Sequence, residues 1–204
     1  REYVWDALGR LTVIREETKP IASYTYNHRG ERTSKTTGSQ TTNAQTTQYL
    51  YDDKQLTAEL DAQGNITRQY IYLADLPVAV IDTPQGKPLS NQELPAPARL
   101  AQDAKMILNI WFSAMWGDDS SSIVWLHTNH LGAPEAATNQ SGALIWQASY
   151  AAFGQVQITK ANLAKSGLAP SSFTLNLRLP GQYEDSESGL FYNRQRYYDP
   201  SRGA

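Results

Sequence analysis

Few residues of this 204-residue chain combine types and spacings that could do chemistry. His127 and His130 form its only close histidine pair, and an H-x-x-H spacing can supply two ligands to a metal ion. No third ligand is apparent nearby, and His130 falls in a turn, so we predict no metal site. The third histidine, His28, also falls in a turn, where we expect it to be exposed. The chain lacks cysteine, a glycine-rich phosphate loop and a G-x-S-x-G sequence, and we predict no cofactor.

The C-terminal part of the chain is dense in arginine and tyrosine. Arg178, Arg194 and Arg196 could stack on aromatic rings or bind anions. Acidic residues are interspersed, and a net charge of −2 with a pI near 5.9 gives no basic footprint for nucleic acid or an anionic membrane. We therefore interpret the arginines as partners of tyrosines across a sheet. We interpret Asp185 and Glu187 as acids of a surface turn; the alternative is that one of them is a carboxylate partner in acid–base chemistry.

A repeated turn predicts the elements that must position these side chains. In three places an aromatic residue is followed by Asp or Asn, a short turn and a basic or polar residue: Trp5–Thr12, Tyr26–Thr33 and Tyr51–Thr57, the last without glycine. Related turns begin at Asp61 and Asn139. Asp or Asn bonds its own downstream backbone, and glycine takes the positive-φ position that closes the reversal. Because alternating residues flank the turns, each unit predicts a strand, a tight turn and a strand.

The composition agrees with a large sheet of such hairpins. Hydrophobic residues, among them 12 tyrosines, make up 40% of the chain and charged residues 19%, and Thr, Ser, Asn and Gln are prominent in the remainder. That mixture suits half-exposed strands better than a helix bundle. One hairpin is marginal alone, so the units must pair side by side. We predict an all-β fold, a curved antiparallel sheet of hairpins, with unrelated hairpins in an ordinary sandwich as the alternative.

Some segments differ from the repeat. Thr36–Thr47 is polar and of low complexity, which predicts a long hairpin tip or a loop. Leu76–Asp82 predicts a short apolar strand, and the proline-rich stretch Pro84–Pro97 predicts an extended connector. Within Ala98–Trp116 apolar residues recur with a period near 3.6, which predicts an inserted amphipathic helix. We expect this helix to pack on the sheet; a partner-binding or membrane-surface helix is the alternative.

Several motifs resemble those of the rearrangement-hotspot (Rhs) family. The aromatic-Asp-x-x-Gly-Arg units resemble its YD repeats. His127–Pro134 is similar to the family's H-T-D-H-L-G-x-P signature, and Trp146–Gly154 to its W-x-x-x-Y-x-x-F-G block. Gly181–Pro200 resembles the Rhs-associated core domain. We accordingly divide the chain into repeats at 1–83, a connector with the helix at 84–122, and the core domain, truncated at its end, at 123–204.

The resemblance implies a fold and a role. Rhs hairpins spiral into a hollow shell, or cocoon, that encloses a C-terminal toxin. The implied partners are the rest of the shell, that toxin, and secretion-spike or adaptor proteins, with no nucleic acid and no membrane span. Such a protein is made in the bacterial cytoplasm and delivered by a secretion system, in most cases type VI. Alternatives are a self-cleaving module that releases the toxin, and a cell-surface adhesin or glycan-binding module using exposed Tyr and Trp.

The resemblance also implies one catalytic candidate, Asp199, with Arg196 in support. Rhs cores resemble self-cleaving aspartic proteases, in which one carboxyl group holds a proton while a second activates water. Asp199 matches the first family aspartate by its motif, and the second would lie beyond Ala204. We therefore expect that the chain alone does not cleave itself. The alternative is an Asp-Pro turn in which Asp199 pairs with a base such as Arg196.

The sequence departs from the family pattern in two places. The family continues past Asp-Pro-x-x-Gly with a second Asp-Pro, whereas this chain stops at Ser201-Arg202-Gly203-Ala204. Residues Gln85–Ser122 also form a longer link than is usual. The chain begins Arg-Glu-Tyr without an initiator Met, so we expect an internal or processed piece of a longer protein.

Overall fold

A computed structural model describes residues 1–39, 42–88, 122–159 and 173–203. These residues form a large and a small β-sheet, and they contain no helix that could span a membrane. The prediction of an all-β fold is confirmed. The helix predicted at 98–116 lies outside the described residues.

The large sheet holds β1 Glu2–Trp5, β2 Leu11–Glu16, β3 Lys19–Tyr26, β4 Arg32–Ser39, β5 Thr42–Asp52, β6 Gln55–Leu60, β7 Asn65–Leu73, β8 Leu76–Pro88, β9 Ser122–Thr128, β10 Pro134–Thr138, β11 Leu144–Tyr150 and β12 Val156–Thr159. The small sheet holds β13 Tyr183–Asp185, β14 Leu190–Asn193 and β15 Arg196–Tyr198.

The large sheet is a single ribbon of hairpins. Its 12 strands lie side by side in chain order, and every neighbouring pair is antiparallel. The pairing of β8 with β9 places Val80 opposite Val124, so the ribbon continues across the gap between residues 88 and 122. The small sheet has the same plan, with β14 between β13 and β15. The division of the chain at residues 83 and 122 stays a prediction.

The repeated turns are built alike, as the sequence predicts. At Asn129, the side-chain Oδ1 accepts hydrogen bonds from the backbone N–H of Leu131 at 2.9 Å and of Ala133 at 3.1 Å. The same pair of bonds recurs at four further turns, which begin at Asp6, Asn27, Asp61 and Asn139. In the copy that lacks glycine, Asp53 and Lys54 take positive φ angles of 38° and 77° themselves. A two-residue turn therefore replaces the longer one there.

Two segments contain more strand than predicted. Within 36–47, β4 and β5 pair up to Ser39 and Thr42, so most of the polar stretch is strand. Residues 84–88, predicted as connector, are the end of β8 and pair with β7 in the register Asn65↔Pro88 and Ile66↔Lys87. The connector prediction is wrong for these five residues because β7 supplies a partner that a proline count does not reveal. Residues 89–97 lie outside the described residues.

The ribbon is curved around the small sheet. Consecutive residues of β15 touch opposite ends of the ribbon: Tyr197 packs edge-on against Trp5 of β1 at 6.5 Å, and Tyr198 donates a hydrogen bond of 2.8 Å to the carbonyl oxygen of Phe153, between β11 and β12. A shared core fills the concave side, where Leu175 and Leu177 lie with side chains from the middle of the ribbon. Those ribbon side chains are Tyr49, Leu56, Tyr70, Val80, Val124, Leu126, Ala137, Trp146 and Ala148.

Candidate functional site

Asp199, the candidate for aspartic chemistry, follows β15 in a turn at the edge of an open cavity of about 300 Å³. Its Oδ1 accepts hydrogen bonds from the backbone N–H and the hydroxyl of Ser201, at 2.9 and 2.5 Å. Its Oδ2 lies 3.4 Å from Nε of Arg202, while Arg196 is exposed on β15. The hydroxyl of Ser201 and, to a smaller degree, Arg202 lower the pKa of Asp199, so the carboxylate is ionised at neutral pH.

The cavity at Asp199 lies where the two ends of the ribbon approach each other. It is lined by Tyr3 of β1 and Val156 of β12, and by Glu184 and Phe191 of the small sheet. Glu184 is bound by the buried guanidinium of Arg178. Among the described residues, no hydrogen bond joins Asp199 to a second carboxyl group. The catalytic role of Asp199 stays a prediction.

The three histidines are all exposed. Nε2 of His127 lies 3.0 Å from Oγ1 of Thr138 on the neighbouring strand, and His130 is exposed at a turn. His28 is exposed, as predicted. In the part of the chain that the structure describes, no three His, Asp or Glu side chains gather closely enough to hold a metal ion.

Asp185 is not a surface acid, and that prediction is wrong. Its side chain is fully buried, and Oδ2 lies 2.5 Å from Nη1 of Arg32, which is fully buried on β4. Oδ1 lies 3.1 Å from Nζ of Lys35, and Lys35 also reaches Glu187 at 3.2 Å. Glu187 in turn accepts a hydrogen bond of 3.1 Å from the hydroxyl of Tyr24. Two acids of the small sheet and its turn thus meet two bases of the ribbon, in a cluster named here the ion cluster.

Tyrosine rings enclose the guanidinium of Arg32. Its central carbon lies 4.4 Å from the ring centre of Tyr192, 4.8 Å from Tyr49, 5.3 Å from Tyr24 and 5.4 Å from Tyr183. Nε and Nη2 of Arg32 are buried without a hydrogen-bond acceptor. The negative faces of the rings attract the delocalised cation. The four tyrosine rings therefore supply part of the stabilisation that hydrogen-bond acceptors give to other buried guanidinium groups.

The two bases of the ion cluster stay charged at neutral pH. Burial alone would lower the pKa of Arg32 and of Lys35, but the nearby charge of Asp185 opposes that effect, and the pKa of each base is raised. Burial raises the pKa of Tyr49 and of Tyr192 to about 12, although the charge of Arg32 opposes the shift at both. The rings are therefore neutral and the bases charged across the ordinary pH range.

Further polar contacts join the segment 173–203 to the ribbon. The buried carboxylate of Glu59 on β6 accepts hydrogen bonds from Tyr70 at 2.5 Å and from Tyr183 at 3.0 Å. Arg68 on β7 forms a two-point pair with Asp82 and donates to the carbonyl oxygen of Thr174 at 2.8 Å. These contacts and the ion cluster set the position of the small sheet, because a shift of the sheet would separate several buried charged groups from their partners.

Sequence reasoning missed this site for a physical reason. Arg32 and Asp185 are 153 positions apart in the chain, and no local pattern links them. One signal was available: Arg32 and Lys35 are the basic residues of β4, next to strands rich in tyrosine. The prediction of Tyr–Arg pairs named the wrong arginines: Arg178 is buried but pairs with Glu184, and Arg194 and Arg196 are exposed.

Comparison with known proteins gives three results. Residues 123–158 match the family model described as RHS protein. The chain is 27% identical over its whole length to double-stranded DNA deaminase toxin A of Burkholderia cenocepacia, and 29% identical over 99% of its length to the probable deoxyribonuclease RhsB of Dickeya dadantii. It spans only 13% and 11% of those two proteins. In fold, 98% of the chain matches 9% of a chain in the crystal structure of TcdB2-TccC3, with a TM-score of 0.60 and 19% identity.

The fold and the site define a class of protein: a ribbon of β-hairpins curved around its own C-terminal segment, with buried polar contacts between the two. The matched segment 123–158 covers β9 to β12, which form the last part of the ribbon. The resemblance to the Rhs family, which the motifs at His127–Pro134 and Trp146–Gly154 predict, is confirmed by the family model and by these relatives.

Proposed function

We propose that this chain is a wall segment of a protein shell that encloses a toxin, and that residues 173–203 close the wall from inside. The observation that carries the proposal is the contact of adjacent residues Tyr197 and Tyr198 with the two ends of the ribbon. A sheet that bends this far has a concave side, and the ion cluster fixes the small sheet against it. We infer that such an arrangement forms part of a wall between an interior and solvent.

The relatives support the association with a toxin. Two proteins similar over the whole chain are named as a deaminase toxin and a probable deoxyribonuclease, and the chain covers a small part of each. We infer that the shared part is the carrier and that the reactive part lies elsewhere in such proteins. The partners would be the rest of the shell and the enclosed toxin. The protein would be made in the bacterial cytoplasm and delivered by a secretion system.

Protease protection tests this function in the native full-length protein. The enclosed polypeptide should resist a non-specific protease under native conditions and become sensitive when the shell is opened by mild denaturant. The ratio of the two cleavage rates measures enclosure. Equal rates with and without denaturant, for a polypeptide known to be cleavable when isolated, would refute enclosure.

Release of the toxin by aspartic self-cleavage is the second candidate, and Asp199 carries it. An aspartic pair needs one ionised and one protonated carboxyl group. The lowered pKa of Asp199 suits the ionised member, and the cavity beside it can admit a chain segment. The second carboxyl group would come from outside the described residues. Asp199→Asn in the native protein should abolish a specific cut, while Asp53→Asn, at another exposed turn, should leave it intact. A cut that survives Asp199→Asn would exclude the role.

A further inference from the structure

Two motifs that lie far apart in the chain meet at a glycine. Phe153 belongs to the motif Trp146–Gly154, and Gly203 ends the turn that begins at Asp199. A Cβ placed on Gly203 would lie 3.0 Å from Cδ1 and 3.2 Å from Cγ of the Phe153 ring, so even a methyl group would crowd the ring. The backbone at Gly203 has a φ of 71°, which also favours glycine. Glycine at this position therefore lets the Phe153 ring lie directly against the Asp199 turn.

The hairpin turn that carries Phe153 differs from the other repeated turns in its first residue. It has their backbone bonds, from the N–H of Ala151 to the carbonyl oxygen of Gln155 at 2.9 Å and from the N–H of Gly154 to that of Ala151 at 2.8 Å. It begins with alanine, whereas in the other turns an Asp or Asn side chain accepts two further N–H bonds. The carbonyl oxygen of Phe153 accepts a bond of 2.8 Å from the hydroxyl of Tyr198. The C-terminal segment thus binds the turn that lacks an Asp or Asn acceptor of its own.

Phe153 contacts the Asp199 turn at both of its ends. Tyr198, which immediately precedes Asp199, donates its hydrogen bond to the backbone of Phe153. At the other end the Phe153 ring lies against Gly203, whose N–H donates a bond of 2.9 Å to the carbonyl oxygen of Asp199. Val156, three residues after Phe153, lines the same cavity as Asp199. One residue of the ribbon therefore fixes where the Asp199 carboxylate lies at that cavity.

The turn itself does not require an aromatic residue at position 153. Leu8 occupies the same third position in the turn that begins at Asp6, and a Cβ placed on the adjacent Gly9 would meet nothing within 4 Å. Leu8 is 76% exposed and Phe153 is 68% exposed. Side chains exposed to this degree bury little apolar surface, so neither adds much to the stability of the fold. The effect of the Phe153 ring is therefore local to the Asp199 turn that it contacts.

We propose that Phe153 is the positioning residue for Asp199 in self-cleavage. That reaction needs the ionised carboxylate at a fixed place relative to a second carboxyl group and to the bond that is cut, and small displacements of such groups are costly in rate. Ser201 and Arg202 are exposed, so the bonds within 199–203 fix the shape of the turn but not its place on the ribbon. The contacts of Phe153 with Tyr198 and Gly203 fix that place. This inference rests on the second candidate function, release of the toxin by self-cleavage.

The rate at which the native full-length protein cuts itself, followed by pulse-labelling, tests the inference. Phe153→Ala should slow the Asp199-dependent cut about 10- to 100-fold, because no ring holds the turn in place. Phe153→Tyr keeps a ring against Gly203 and should restore the wild-type rate. Leu8→Ala, the matched control at an equivalent turn, should leave the rate unchanged. The thermal unfolding midpoint should be the same in all three variants, which separates an effect on placement from a folding defect.

A double-mutant cycle tests the contact between the ring and the turn. Gly203→Ala should slow the cut, because the added methyl group displaces the ring, and combining it with Phe153→Ala should slow the cut no further. Independent slowing by the two substitutions would overturn the proposal, as would equal rates in Phe153→Ala and Leu8→Ala or a Phe153→Tyr protein as slow as Phe153→Ala. A wild-type protein that makes no Asp199-dependent cut would refute self-cleavage itself, so failure of the candidate function is distinguished from failure of this inference.

Discussion

Arg32 joins the ribbon to the small sheet through a buried ion pair. It is fully buried, its charge is matched by Asp185, and two of its nitrogens face only rings. Its backbone N–H also donates a hydrogen bond of 2.7 Å to the hydroxyl of Tyr192. Removing one partner of a buried ion pair leaves the other charge uncompensated, which costs about 3–5 kcal/mol.

Arg32→Met should therefore weaken the docking of β13 and β14 by about 3 kcal/mol, because Asp185 keeps a buried charge with Lys35 as its remaining partner. Arg15→Met is the control: Arg15 is paired with Glu2 at 3.4 Å on the surface, and such pairs contribute about 0–1 kcal/mol. Hydrogen exchange of the amides in 183–193 measures the difference. Equal protection in the two variants would show that the ion cluster does not hold the small sheet.

The raised pKa of Tyr49 predicts how the stability of the folded chain responds to alkaline pH. Its pKa is raised by burial from 10.0 to about 12, so the unfolded chain loses the tyrosine proton first as pH rises. The stability linked to this group is complete below pH 10 and is lost between pH 10 and 12. Lys35 also makes the folded chain lose stability as pH rises, because its pKa is raised in the folded state.

Tyr49→Phe should leave stability at pH 7 nearly unchanged, because the buried hydroxyl of Tyr49 has no hydrogen-bond partner. The same variant should lose less stability than the wild type between pH 10 and 12. Denaturant unfolding at pH 7 and pH 11 provides the comparison. A Tyr49→Phe protein with the wild-type alkaline loss would contradict the assignment of that loss to this group.

At the scale of elements, the turns position the C-terminal segment as well as reversing the chain. Gly132 and Gly142 occupy equivalent turns, with φ angles of 80° and 78°. Around Gly142 nothing lies within 4 Å of an added Cβ, whereas at Gly132 that atom would lie 3.1 Å from both Leu76 and Pro180. The packing of the turn against Leu76 and Pro180 therefore requires a glycine at position 132, whereas no packing contact requires one at position 142.

Gly142→Ala should cost about 1–2 kcal/mol from the left-handed backbone alone. Gly132→Ala should cost about 1 kcal/mol more, because Leu76 or Pro180 must move. Denaturant unfolding measures both, and hydrogen exchange near residue 182 should increase only in Gly132→Ala. If both variants lose the same stability, the contact between this turn and Pro180 does not contribute.

Sequence reasoning is reliable for the elements and poor for the contacts between them. The Asp and Asn turns are determined by bonds within five residues, so their pattern is visible along the chain. The end of β8 at 84–88 depends on β7, and the burial of Asp185 depends on β4. Those two predictions are wrong because the partners are distant in sequence. Family resemblance supplied the fold but no residue of the ion cluster.

At the scale of the whole molecule, the proposed wall would be one continuous antiparallel ribbon. Each strand pairs on both sides except at β1 and β12, whose outer edges have no strand partner among the described residues. The two outer strands approach each other at the cavity beside Asp199. The same curvature thus encloses a concave side and places the one catalytic candidate where the ribbon's two ends approach each other.

Electron cryo-microscopy of the native full-length protein tests the central claim most directly. The account predicts that β1 to β12 form part of a closed wall, with residues 173–203 on its inner side and additional polypeptide density in the enclosed volume. A map in which the concave side of the ribbon opens to solvent, with no enclosed volume beyond the small sheet, would contradict it.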